Sequence, residues 1–480
     1  MLQSRRIRSP ASLLAPVAAA LLAACAGVPS APDAAVQSAF VILGDDGAAI
    51  ARAITTSASC PRIEIDGRMT EMTVRAKLGA IPLRPAAPAE AGHVRPVAPS
   101  SPVQSCETAL PAGARRVALN GQALPLPVTE PKRIVVIGDT GCRLKGKEFQ
   151  DCNDASAYPF ARVAASAAAW KPELVVHVGD FHYREDPCAA DRPGCAGSPF
   201  GYGWDAWNAD FFAPARTLLS AAPWVVARGN HETCVRGGQG WWRFLDPRPL
   251  RPQNSCDDPA QDEAGDYTDP YAVPLGGDAQ LLVFDSANTS YKGFKPGDVR
   301  VAKYTNSYRK LETLAARARH TIAVDHHPLY AFGAEQDKKT GAVKLFGGDA
   351  GLIQTFGAIQ PRLLPANVEV LLSGHVHLWE QLSFSSDHPT QFVSGFAGTA
   401  EDIVPLPASV PAGTVPAPGT VIEAMSSWID GFGFMTMERR GADRWDVVIH
   451  DRDGRERNTC VVEGRHSRCA LPQVPRSTAH

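Results

Sequence analysis

The stretch Ile134-Val135-Val136-Ile137-Gly138-Asp139-Thr140-Gly141 decides the reading of the fold. Four consecutive β-branched apolar residues read as a strand buried on both faces. A glycine and an aspartate then stop it. The same device returns four times downstream. Leu174-Val175-Val176-His177-Val178 leads into Gly179-Asp180-Phe181-His182-Tyr183, and Trp224-Val225-Val226-Ala227 leads into Gly229-Asn230-His231-Glu232. Thr321-Ile322-Ala323-Val324 precedes Asp325-His326-His327-Pro328, and Val368 to Leu372 precedes Ser373-Gly374-His375-Val376-His377. Between these runs lie helical patterns: Tyr158 to Trp170, Ala-rich; Trp204 to Ala221; and Tyr308 to Arg319. Strands alternating with helices predict an α/β fold with a parallel sheet. In such sheets ligands bind outside the carboxyl ends of the strands, so five donor clusters can meet at one edge.

Outward from this centre, the chain closes with Phe434 to Glu438 and Trp445 to His450 around a turn containing Gly441. That is a β-hairpin, and it suggests a second sheet packed on the first. Upstream, residues 39–127 alternate short apolar runs with turn residues and read as a small β-rich domain. Gly44-Asp45-Asp46-Gly47 mimics the first motif but reads as a hairpin turn. Residues 82–103 hold many prolines and no aromatic residue, and are expected to be a disordered loop. The expected division is a signal segment 1–24, a tether 25–38, the β-rich domain 39–127, a catalytic domain 132–455 and a disulfide-bonded tail 456–480.

At 480 residues the chain can bury a large core. A formal charge of −2 argues against a nucleic-acid binder, which would carry a basic surface. Arg5, Arg6 and Arg8 followed by the apolar run Ser12 to Ala24 read as an export signal, too short to span a bilayer. Leu22-Ala23-Ala24-Cys25 is similar to a bacterial lipobox, which implies lipidation of Cys25 and anchoring to a membrane through lipid alone. The expected location is outside the cytoplasm, at the outer membrane facing the periplasm or cell surface. Of eleven cysteines, the ten beyond Cys25 fall as near neighbours: Cys60/Cys106, Cys142/Cys152, Cys188/Cys195, Cys234/Cys256 and Cys460/Cys469. Five disulfides in that order are predicted, in keeping with export. No Cys-x-x-Cys pair supports a thiolate metal site.

The five motifs supply carboxylate, amide and imidazole donors, enough for two metal ions. Glycines before Asp139 and Asp180 would permit an unusual backbone angle and close approach to an ion. One carboxylate can bridge two ions about 3.5–4 Å apart, the spacing used for in-line phosphoryl displacement.

Taken together, the motifs resemble the calcineurin-like metallophosphoesterase superfamily and, within it, the purple acid phosphatases. The resemblance implies a four-layer αββα sandwich preceded by the small β-rich domain. Two positions favour the purple branch. Gly141 stands where most relatives carry a metal-binding His, and Tyr183 stands three residues after Asp180, where those enzymes place a tyrosinate. The resemblance implies that Asp139, Tyr183 and His377 hold a first ion, that Asp180 bridges, and that Asn230, His326 and His375 hold a second. The ions implied are Fe(III) plus Fe, Zn or Mn. His327 is the alternative to His326, which the His-x-Pro arrangement favours. His231 faces substrate as the catalytic histidine, oriented by Glu232 or a neighbouring carboxylate. Arg228, His182, His327 and Glu335 are the substrate-binding candidates; Glu335 stands where the family often has a histidine.

The activity implied is hydrolysis of a small phosphate monoester by attack of a metal-bound hydroxide. A phosphodiesterase or nucleotidase of the same superfamily is the first alternative. A non-catalytic surface lipoprotein binding phosphate or a partner is the second. His177 reads as a core or supporting histidine, Trp241 and Trp242 as packing, and Asp262, Glu263, Asp266 and Asp269 as a solvated acidic insert.

Overall fold

The computed structural model describes residues 35–84, 100–401, 403–407 and 410–472. Among them, two sheets of eleven and seven strands carry the architecture. In the first, the strands Arg133–Ile137, Leu174–His177 and Trp224–Val226 are parallel neighbours. In the second, Ala279–Val283, His320–Val324, Val368–Ser373 and Thr390–Ser394 are parallel neighbours. All five motifs therefore follow parallel strands, three from one sheet and two from the other.

Side-chain alternation along these strands builds the layers. Ile134, Val136, Val176 and Val225 meet Leu281, Val283, Ile322, Val324 and Leu372 in one buried cluster between the sheets. Val135, Ile137, Val175 and Val226 point the other way, onto Phe160 and Val163 of the helix Phe160–Ala169 and onto Trp207 and Phe211. Leu282, Ala323 and Leu371 face Tyr304, Tyr308 and Leu311 of the helix Val299–Ala315 and Leu352 and Phe356 of the helix Ala350–Gly357. This is the predicted αββα order. Each buried Val, Ile or Leu in it contributes about 1.5–3 kcal/mol.

The N-terminal β-rich region is not set apart from this core. Its first strand, Val36–Leu43, runs parallel beside Trp224–Val226 with Ile42 opposite Trp224. The strands Ala49–Thr55, Val103–Ala109 and Thr73–Gly79 then continue the large sheet to its edge. Residues 36–38, expected in the tether, are thus already strand. Gly44 to Gly47 forms the predicted hairpin turn. A separate four-stranded sheet holds Arg62–Ile65, Arg68–Glu71, Val117–Leu119 and Gln122–Ala123.

Three further expectations are corrected. The closing hairpin Gly433–Arg439 and Arg444–Asp451 belongs to the first sheet, beside Arg133–Ile137, although a second sheet does pack on it. The tail is two more strands of that sheet, Glu456–Glu463 and His466–Cys469. The helix expected over Trp204 to Ala221 is broken into Trp204–Trp207, a wide turn Asn208–Phe212, and Arg216–Leu219. Pro214, which has no N–H to donate, stands at the break.

Of the loop expected to be disordered, residues 82–84 and 100–103 are described, and Arg84 and Val103 among them are buried while Pro82, Leu83, Ser101 and Pro102 are exposed. Arg84 is buried, bonded to the Cys234 carbonyl and 2.5 Å from Asp262. Residues 85–99 lie outside the described residues, as does the signal with Cys25.

The disulfides pair in the predicted sequential order: Cys60–Cys106, Cys142–Cys152, Cys188–Cys195, Cys234–Cys256 and Cys460–Cys469. Their placement adds what spacing could not show. Cys106, Cys142, Cys195, Cys234 and Cys256 are fully buried, so these five are interior packing residues as well as cross-links. Cys106 joins the cluster between the sheets, and Cys256 joins the aromatic cluster with Trp241 and Trp242. Burial suits a half-cystine, whose sulfur is apolar and carries no charge once bonded. Cys460 and Cys469 face each other across paired strands and clip the tail to itself.

Candidate metal centre

The phenol oxygen of Tyr183 brings three of the five motifs together. It lies 3.0 Å from Asp139 Oδ1, 2.8 Å from Asp180 Oδ2 and 2.8 Å from His377 Nε2. His326 Nε2 is 3.1 Å from this same Asp180 Oδ2 and 3.1 Å from Asn230 Oδ1. His375 Nδ1 is 3.1 Å from the same Asn230 oxygen. Asp180 thus stands between two sets of donors. Asp139, Asp180 and His326 form one group able to hold a metal ion, and His326, His327 and His375 form another.

Three of the donor-bearing residues have a strained backbone. Asp139, Asp180 and His375 have φ of 54°, 56° and 68°, the left-handed region that L-residues seldom enter. The sequence reading gave the unusual angle to the glycines before the aspartates. Gly179 does have a positive φ, 102°, but the metal-donor residues themselves carry the strain. The glycines serve mainly close approach. A Cβ on Gly229 would collide with the Asp180 carboxylate. A Cβ on Gly141 would lie 2.7 Å from the Tyr183 amide nitrogen and 3.0 Å from its ring. Gly141 and Tyr183 are therefore one feature: the tyrosine occupies the room a side chain at 141 would need.

Hydrogen bonds around the ligands fix their orientation. His326 Nδ1 is 2.9 Å from the Val178 carbonyl, which accepts its proton and turns Nε2 toward Asp180. His377 Nδ1 is 3.0 Å from the Ala400 carbonyl and 2.7 Å from Arg143 Nη2. The amide of His375 donates to Asp139 Oδ2 at 3.0 Å. His327 packs against His375, ring centres 4.2 Å apart, with its amide donating to Ser286 Oγ at 3.0 Å. His326, unlike His327, belongs to both groups of donors and touches Asp180.

Electrostatics follow this packing. Burial would push Asp180 up, yet His326 and His231 outweigh it and hold the carboxyl well below its usual range. Burial would push His326 down, but adjacent Asp180 reverses this and raises it to about 9. Burial, reinforced by Asp180 and Asp139, pushes the Tyr183 phenol well up. Burial and the charge of His375 push His327 well down.

His231 lines the same cleft, its ring 3.7 Å from that of Tyr183. Its partner is not Glu232. His231 Nδ1 lies 2.6 Å from Glu185 Oε1, and Glu185 is ion-paired with Arg236, whose guanidinium lies 2.7 Å from His231 Nε2. Burial, then Arg236, pushes His231 down to about 3. Burial pushes Glu185 up, but Arg236 and His231 prevail and hold it well below the usual range.

Glu232, expected to orient His231, instead accepts from four backbone amides: Asp180 at 3.1 Å, Phe181 at 2.9 Å, His182 at 3.2 Å and Gly229 at 3.0 Å. Burial, with Asp180 next, pushes its carboxyl up to about 8. All four contacts are nonetheless donors, which suits the carboxylate. Its work is to shape the second motif.

Three substrate candidates are placed elsewhere. Arg228 is buried and pairs with Asp285 at 2.6 Å, because Asp285 and the Gly265 carbonyl supply an internal partner. His182 turns inward, stacked on Trp207 at 5.3 Å with Asp210 at 3.3 Å. Glu335 is exposed on the hairpin formed by Gly333–Gln336 and Val343–Phe346 and does not line the cleft. His177 is a supporting residue as expected, stacked on Phe181 and accepting from the Gly179 amide at 3.1 Å. Trp241 and Trp242 are buried packing residues, as expected.

Sequence reasoning missed Glu185, Arg236, Asp210 and Arg143. Asp210, in the wide turn, accepts from the amides of Cys142, Tyr183 and Arg184 at 3.0, 2.7 and 2.9 Å, and so holds the first two motifs together. None of the four lies in a motif; their only common signal is a charged residue in a short apolar or loop context. The cleft itself measures about 380 Å³, near the small end for ligand sites, and its lining includes Asp180, Tyr183, Asn230, His231, His375 and His377.

A structure of similar fold is a purple acid phosphatase from yellow lupin (Lupinus luteus) seeds. It is 14% identical, with a TM-score of 0.50, and the match covers 92% of this chain and 77% of that one. PhoD is similar at 11% identity and a TM-score of 0.49, covering 92% and 93%. A dimetal phosphatase from Danio rerio is similar at 13% identity and a TM-score of 0.35, covering 70% and 100%. No curated protein sequence matches the chain. The sequence profile described as calcineurin-like phosphoesterase matches residues 132–378, which contain all five motifs. The chain belongs to the calcineurin-like phosphoesterase family.

Proposed function

We propose that the protein is an exported two-metal phosphohydrolase that cleaves phosphate monoesters, of the purple acid phosphatase type. The observation that carries this reading is the Tyr183 oxygen, within 3.0 Å of Asp139, Asp180 and His377 in a space that Gly141 leaves open. The donor set fits two ions. Asp139, Tyr183 and His377 would hold the first, Asp180 would bridge, and Asn230, His326 and His375 would hold the second. A phenolate donor favours Fe(III) in the first position, with Fe, Zn or Mn in the second. Ions so held would supply Lewis acidity and an acidified water for in-line attack at phosphorus.

The chain's own residues do the rest. His231 faces the phosphate from the third motif, beside Asn230. Glu185 and Arg236 fix the imidazole of His231 beside the reacting oxygens, where it can exchange a proton with the substrate. Glu232 and Asp210 keep Asp180 and Tyr183 in register. Five disulfides support an oxidising compartment, in line with export and a lipid anchor at Cys25.

Asp180→Asn tests the reading. Removing a supporting residue around a metal costs about 10–100-fold, so loss of the bridging carboxylate is expected to cost more than about a hundredfold in nitrophenyl phosphate hydrolysis, with the circular dichroism unchanged. Unchanged turnover would overturn the two-metal reading. Faster release from the bis-ester than from the monoester would reassign the substrate to diesters. A colourless, iron-free protein active with zinc or manganese would retain the phosphohydrolase and reject the iron–tyrosinate pair.

A further inference from the structure

One basic element beside the cleft has no place in the metal centre. The hairpin Leu144–Lys145 and Glu148–Phe149 overhangs it, and Arg143, Lys145 and Lys147 line the cleft together with Asp180, His231 and His377. The hairpin is tied down at every step. The Cys142–Cys152 disulfide closes its base. The Leu144 amide donates to the Tyr183 carbonyl at 3.0 Å, and the Asp186 amide donates to the Leu144 carbonyl at 2.9 Å. At the tip the Gly146 amide donates to Asp186 Oδ2 at 2.6 Å. The arm is therefore fixed to the segment that carries Tyr183.

Its charge is unbalanced toward the cleft. Glu148 pairs with Arg143 at 2.9 Å, and Arg143 stands behind His377. Glu185 is held by Arg236 and His231. Lys145 and Lys147 are the lining cations outside these pairs, with Asp186 at the hairpin tip and Glu185 and Asp180 attracting Lys145. Arg236 and then burial push the Lys145 amine down, against that attraction.

We propose that this hairpin selects phosphoesters carrying a second phosphate group: the metal donors take the scissile phosphate and Lys145 and Lys147 take the other. The inference rests on the phosphohydrolase reading. A substrate with a single phosphate at the metal donors would leave Lys145 and Lys147 without a phosphate partner, whereas a second phosphate would meet them in the same cleft of about 380 Å³, which both lysines line. No bond changes at the second phosphate; it serves for binding and orientation.

The test compares kcat/KM for glucose 1,6-bisphosphate and glucose 6-phosphate with the metal-loaded full chain. The ratio is expected to favour the bisphosphate and to fall by roughly ten- to hundredfold in the double variant Lys145→Ala, Lys147→Ala, from the usual strength of charged hydrogen bonds. Lys339→Ala, on an exposed hairpin elsewhere, controls for charge alone and should leave the ratio unchanged. An unchanged ratio in the double variant, with both substrates hydrolysed, overturns the inference and leaves the phosphohydrolase reading standing. If the loaded wild type hydrolyses neither, that reading fails, and calorimetric titration with glucose 1,6-bisphosphate still reads the arm. Weaker binding to the double variant supports it; equal binding overturns it.

Discussion

Glu232→Gln separates a scaffold from a catalytic partner. The substitution keeps shape and removes one acceptor oxygen. In the wild type, Oε1 accepts from Phe181 and His182 and Oε2 from Asp180 and Gly229. A glutamine amide oxygen can serve one of these pairs. Its NH2 must then face the other two N–H groups, donor against donor. Glu232 is fully buried, so no water replaces the lost acceptor. Two hydrogen bonds to a charged group, each contributing about 1.5–3 kcal/mol, give an expected loss of roughly 3–6 kcal/mol. The second and third motifs should loosen together, because Glu232 joins them. The assay is urea unfolding of the metal-loaded protein, with the pH dependence of nitrophenyl phosphate hydrolysis in parallel. The expected outcome is a lower midpoint and reduced kcat with the shape of the pH profile kept. Wild-type stability combined with a displaced pH profile would refute the reasoning and return Glu232 to a proton-handling role on His231.

Tyr183→Phe should abolish the visible charge-transfer band of the iron-loaded protein and lower iron retention on dialysis; an intact band would remove Tyr183 from the ligand set. Gly141→Ala places a methyl group 2.7 Å from the Tyr183 amide, and such overpacking costs about 1–3 kcal/mol, read as a lower melting temperature and weaker metal retention. Full retention of both would show that the backbone there yields. Glu185→Gln tests pH dependence. The Glu185 carboxyl titrates below its unfolded value of about 4.3, so its pairing stabilises the fold above that pH and is lost as pH falls through the lower folded value. The stability gap between wild type and Glu185→Gln is therefore expected above about pH 5 and should close on acidification below about pH 4; a gap that widens in acid contradicts the assignment.

Which features were legible in the sequence follows from their range. The strands before each motif are local runs of β-branched residues, and a strand buried on both faces announces itself by such a run. Gly-Asp, Gly-Asn-His and Gly-His-x-His mark where those runs stop, because chain reversal at a ligand needs small or special residues there. The candidate set Asp139, Asp180, Tyr183, Asn230, His326, His375 and His377 came from the family resemblance that the motifs carry, and the order of the five disulfides from the cysteine spacing. That Cys106, Cys142, Cys195, Cys234 and Cys256 lie in the interior could not, since burial depends on what packs over them.

The sequence alone determined the α/β alternation, the five donor clusters at strand ends and the cysteine pairs, since each depends on residues close together in the chain. Tertiary structure decided what depends on distant residues meeting. It joined Val36–Leu43 to Trp224–Val226, carrying the N-terminal strands into the main sheet. It gave Arg228 to Asp285 and His182 to Trp207, removing both from the cleft. It replaced Glu232 by Glu185 as the partner of His231 and brought Lys145 and Lys147 over the site. A buried charge takes whichever counter-charge the packing brings nearest, and that neighbour is written in the fold rather than in the adjacent sequence.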